Sequence, residues 1–112
     1  MSMRRFEGPM QAMISEEVAA SLAESGRRLR RALDLLAEYD EQIERGKRQP
    51  AASARLSLVD EAAEKLWGYV VQRELIGLND ADYIRSHYGV PEDVWRRMGP
   101  KGAHQSHLPS RL

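Results

Sequence analysis

Few residues in this chain have the types and spacing for covalent or metal chemistry. Its 112 residues include three histidines and no cysteine. The lack of thiols excludes disulfides, thiolate nucleophiles and cysteine-held zinc or iron–sulfur centres. His104 and His107, spaced His-x-x-His, can meet one ion from a single turn, but no acidic residue stands near them to complete a ligand set. His87 falls at the end of a helical stretch, where a cation meets the negative end of the helix dipole. No Glu-x-x-His pair suited to a di-iron bundle, no glycine-rich phosphate loop and no serine elbow occurs. Glu38, Asp40, Glu41 and Glu44 cluster near the end of a long helical stretch and are expected to face water. Asp40 lies nearest the apolar stripe, so it is the acid whose burial would matter. The expectation is a chain that is not an enzyme, with no catalytic, cofactor-binding or metal-binding residues.

Arginines are the other chemically active group. Arg27, Arg28, Arg30 and Arg31 form a basic run, but Glu24 and Asp34 lie three or four residues away and can pair with them on a helix, with Glu38 two turns beyond Arg31. A solvated face is the reading this favours over an RNA or acidic-partner site. Arg45, Lys47, Arg48 and Arg55 form a looser patch of the same kind. Lys+Arg and Asp+Glu both number 17, so net charge supplies no overall attraction to nucleic acid or anionic membrane.

Residues 81–98 carry the sharpest functional pattern. A short helix, a turn glycine at Gly89 and a second short helix resemble a helix-turn-helix, with Ile84, Tyr88, Val90, Trp95 and Met98 on the motif's apolar positions. The resemblance implies DNA binding, with Arg96 and Arg97 as phosphate contacts. The segment departs from the motif in three ways. Arg85 replaces the usual small residue, Glu92 and Asp93 would repel DNA at the start of the recognition helix, and Gly99-Pro100 cuts that helix short. The competing reading is a short helical hairpin that folds back over Trp67 and Tyr69.

The elements that must position these residues are all helical. Ser15 reads as an N-cap, followed by Glu16 and Glu17 at the positive end of the dipole. Leu22, Leu29, Leu36 and Ile43 then recur every seven residues, with Ser25, Ala32 and Tyr39 alongside. Leu33 and Leu35 widen the stripe beyond that of a two-stranded zipper. A helix is predicted over about 15–45, ended by Gly46, with a turn through Pro50. A second helix over about 55–78, capped at Ser53 or Ser57, carries Leu56, Val59, Ala63, Leu66 and Val70 as its seam. Short helices are predicted over about 80–88, capped by Asn79, and over about 91–98, with Pro91 at the first helical position.

The predicted fold is therefore all-α: a long antiparallel hairpin, then two short helices. The seam would set Leu22, Leu29, Leu33, Leu36 and Ile43 against Leu56, Val59, Leu66 and Val70. Trp67, Tyr69, Val71, Leu75, Ile76 and Leu78 make the second helix apolar nearly all round, more than one partner helix covers. This predicts a homodimeric bundle. Residues 1–14, with Met1, Met3, Met10 and Met13, are expected to be a flexible arm, 15–99 one domain, and 100–112 a flexible tail. No stretch approaches the ~18 apolar residues of a membrane span, and no apolar run follows Arg4 and Arg5, so a cytoplasmic protein is expected. The stretch ELIGLNDADYIRSHYGVPEDVWRRMG, residues 74–99, resembles short uncharacterised bacterial proteins of a family of unknown function; that resemblance implies a fold and no activity. The function expected is a non-catalytic oligomeric interaction or scaffold protein, with a DNA-binding regulator as the alternative.

Overall fold

The computed structural model describes residues 15–99, which form four helices and no strand: α1 (Glu16–Glu44), α2 (Ala52–Leu75), α3 (Ala81–Tyr88) and α4 (Glu92–Arg96). The expectations for the N-terminal arm with its methionines, and for the tail with His104 and His107, lie outside the described residues.

The start of α1 follows from its first three residues. Ser15 is extended, and its Oγ accepts the Val18 N–H at 3.1 Å, beside Glu16 and Glu17 in the first turn. The seven-residue recurrence then becomes the buried face, with Leu29, Ala32, Leu33, Leu36 and Tyr39 all turned inward. At the far end Gly46 takes a φ of 72°, a left-handed conformation that carries the chain out of the helix.

The turn into α2 is held by a side chain of α1. The Tyr39 hydroxyl accepts the Ala51 N–H at 3.1 Å and donates to the Ala51 carbonyl at 3.2 Å. This replaces the serine cap expected from sequence. The helix begins at Ala52 with Ala51 as N-cap and no side-chain cap bond, and Ser53 and Ser57 lie exposed within it. Because Tyr39 fixes the chain at Ala51, the helix begins ahead of both serines. The other end also differs: α2 stops at Leu75 rather than near residue 78. Gly77 takes a φ of 91°, and the Leu78 N–H turns back to the Arg73 carbonyl at 2.8 Å, closing a Schellman-type cap.

Asp40–Arg55, Gly26–Tyr69 and Ser21–Gln72 contacts step in opposite directions along α1 and α2, so the hairpin is antiparallel. Between the helices, Leu29, Leu33 and Leu36 pack with Val59, Ala62, Ala63 and Leu66. Each fully buried leucine contributes roughly 1.5–3 kcal/mol relative to exposure. Leu22 and Val70 pack at the margin of this core, and Ile43 is half-buried at the hairpin tip. Leu56 is a correction to the predicted seam, being 45% exposed. It borders a cleft between α2 and α4, and the five residues of α4 leave it open.

The two short helices close one side of the hairpin, contributing Ile84 and Val94 to the core. Asp80 rather than Asn79 is the N-cap of α3, yet its side chain makes no cap bond. Its carboxylate is engaged by Arg73 instead, with Nε to Oδ1 at 3.1 Å. Gly89 ends α3 in the left-handed region, and Pro91 stands just before α4, one residue outside the position expected. The chain covers Tyr69 by itself but leaves Trp67 38% exposed.

Candidate functional site

The segment resembling a helix-turn-helix is a lid on the hairpin. Val94 is completely buried, and Tyr88, Val90, Trp95 and Met98 pack against the core. The Arg85 guanidinium lies 4.5 Å above the Trp95 ring and within 3.7 Å of Glu92, filling space that a DNA-reading motif keeps for close helix contact. The two arginines expected to meet phosphate part company. Arg97 turns inward and donates to the Asp60 carboxylate of α2. Arg96 points to solvent, 3.9 Å from Glu92.

Arg55 is the central cation of the lid, although in the sequence it reads as one member of a loose basic patch. Its Nε and one terminal nitrogen grip both oxygens of Asp40 on α1, at 2.8 and 2.9 Å. Its other nitrogen donates to Asp93 of α4 at 2.8 Å. One guanidinium therefore ties α1, α2 and α4, in the forked geometry that favours arginine over lysine. Hydrogen bonding from Arg55 holds the Asp40 carboxyl below its ordinary value of 3.8, against the opposing effect of partial burial. Asp40, the acid singled out in the sequence, is thus held as a carboxylate between α1 and α2 by Arg55.

This gives an acid-sensitivity prediction. A carboxylate whose folded pKa is depressed contributes stability above its unfolded pKa and loses it as pH falls through the folded value. The Asp40 contribution is expected to be intact above about pH 4 and to fade below 3.8. Asp40→Asn should flatten the wild-type loss of stability in that window, measured by urea melts at stepped pH. An unchanged slope would remove the Arg55–Asp40 pair from the acid response.

Other arginines fasten the remaining edges. Arg73 joins Asp80 to the Tyr69 hydroxyl, which it reaches at 3.2 Å, and so pins the loop into α3. Arg30 donates to the carbonyls of Tyr88 and His87 at 3.3 and 3.5 Å, satisfying the end of α3, and lies over the Tyr88 ring. His87 stacks on Tyr83 at 5.0 Å. Arg27 and Arg28 share Glu24. Arg31 and Glu38, both exposed, have no hydrogen bond, ion pair or ring contact among the described residues.

The open cleft between α2 and α4, about 550 Å³, is lined by Leu56 and Val59 with Arg55, Arg96, Arg97 and Asp93. The charged groups around it are paired with one another or with Asp40, Asp60 and Glu92. Among the described residues no group of three or more His, Asp or Glu is placed to hold a metal, and no helix is long and apolar enough to cross a membrane. No protein-family model, curated protein or solved structure matches the chain.

Proposed function

We propose that the protein is a non-catalytic helical interaction protein that works as a homodimer, with α3 and α4 serving as a lid on their own hairpin. The observation that carries this reading is the apolar surface remaining after the lid has docked. Leu35, Leu56, Trp67 and Leu75 are 50%, 45%, 38% and 78% exposed. Trp67, Val71 and Leu75 also follow one another at helical spacing along one flank of α2. Leu35 borders a separate groove with Ala54 and Leu58, and an exposed apolar stripe along a helix favours association with a protein partner.

The DNA-binding alternative draws less support. Arg97 is engaged by Asp60, α4 has only five residues, and Glu92 and Asp93 occupy its first turn. Sedimentation equilibrium at micromolar concentration should return about twice the chain mass of 12.7 kDa. A clean monomer across that range would overturn the dimer. Duplex DNA affinity that falls with added salt and with Arg96→Ala would overturn the lid reading in favour of phosphate contact.

A further inference from the structure

Resting on the dimer reading above, we propose that two copies pair α1 against α1, antiparallel, about a two-fold axis passing beside Leu35. The long helix carries two seams. The inner one is apolar and packs on α2. The outer one runs Glu24, Arg28, Arg31, Leu35, Glu38, Gln42 and Arg45, which share one line along the helix by spacings of four and three, with Leu35 as its single apolar member and charged or polar residues on both sides.

This outer seam is complementary to itself in reverse. With Leu35 on the axis, Arg31 meets Glu38 of the partner subunit, Arg28 meets Gln42 of the partner subunit, and Glu24 meets Arg45 of the partner subunit. A parallel pair in register would set each arginine against its own copy. Among the described residues, the central charges are also the ones with nothing to bind at home. Glu24 already serves Arg27 and Arg28, and Arg45 serves Glu41. Arg31 and Glu38, which flank Leu35, have no partner among the described residues.

The surface around Leu35 is shaped to receive a helix. An open groove of about 480 Å³ runs beside it, with Leu35, Tyr39, Ala54 and Leu58 in its lining and Glu38 and the hydrogen-bonded Gln42–Arg48 pair among its polar members. No residue of α3 or α4 lines this groove. A two-fold contact of this type is isologous, so each groove receives the same flank of the other copy.

The chain has no cysteine, so Leu35→Cys introduces a lone thiol. A disulfide requires Cα atoms about 4.4–6.8 Å apart, a separation the axis beside residue 35 would supply. Mild oxidation of the full chain should give a covalent dimer. Ala37→Cys, two residues on and across the helix, should not. Arg31→Glu and Glu38→Arg, each alone, place like charges across the axis and should weaken dimerisation about tenfold or more. The double variant R31E/E38R should restore dimerisation to near the wild-type level, with helix content by circular dichroism unchanged throughout. A wild-type dimer in which Leu35→Cys fails to cross-link and the charge variants are neutral would overturn this face and leave the dimer standing. A monomeric wild type would overturn both.

Discussion

Val94→Asp should detach the lid and leave the hairpin helical. Val94 is fully buried, and Asp40, Asp60 and Asp93 already occupy the guanidinium groups of Arg55 and Arg97 nearby. Among the described residues, the guanidinium groups that join α4 to the hairpin are thus already engaged. Burying an unpaired charge costs several kcal/mol, and the lid rests on few apolar contacts, chiefly Ile84, Val94, Trp95 and Met98. The larger core between α1 and α2 does not depend on it to the same degree. Amide exchange in the variant should lose protection across Ala81–Arg96 while keeping it at Leu29–Leu36 and Val59–Leu66. In a Trp67→Phe background, Trp95 emission should shift to the red as its ring enters water. Loss of protection in all four helices together would show instead that lid and hairpin fold as one cooperative unit.

Gly26→Ala should destabilise the wild type and stabilise a Tyr88→Phe background. Inside a helix, replacing glycine by alanine ordinarily gains about 1 kcal/mol. Here a methyl group at Gly26 would stand 2.7 Å from the Tyr88 hydroxyl oxygen and 3.3 Å from Cε1 of Tyr69. The Tyr88 ring is held by an edge contact with Tyr69 and by Arg30 across its face, so it cannot simply swing aside. Burial pushes the Tyr88 phenol up to about 12, so at neutral pH the methyl meets a protonated hydroxyl. Crowding of this kind costs roughly 1–3 kcal/mol, which outweighs the gain in helix propensity. Removing the oxygen in Tyr88→Phe leaves the Tyr69 contact, which needs only a small adjustment. The sign of the Gly26→Ala effect should therefore reverse between the two backgrounds, measured by urea denaturation of all four proteins. The same sign in both would mean that the hydroxyl does not set the approach of α3 to α1.

What was readable in the sequence was the part decided by local periodicity. Leu22, Leu29, Leu36 and Ile43 place α1 within one residue at each end, and Ser15 caps it as its type and neighbours imply. Gly89 ends α3 because only one residue type adopts that backbone cheaply. The apolar residues on both sides of Gly77 concealed the end of α2, since Ile76 and Leu78 continue a plausible stripe. The start of α2 was hidden for another reason: its anchor is a tyrosine twelve residues earlier, and no local cap pattern reports that. The role of Arg55 needs the hairpin register, because its carboxylates lie 15 and 38 residues away. Arg96 and Arg97 look equivalent as neighbours, and only the docking of α4 on α2 separates them.

The shared guanidinium of Arg55 makes the hairpin tip and the lid reciprocal. Asp40 stands four residues before the end of α1, and Asp93 stands in the first turn of α4, yet both are held by one side chain. Free energy put into ordering that side chain at one carboxylate lowers what remains to be ordered at the other. Linkage then requires that opening the tip favours opening of the lid by the same factor as opening the lid favours opening of the tip. A partner that touches only the turn would thereby influence how often Trp95 and its neighbours open to water, with no contact to α4 at all.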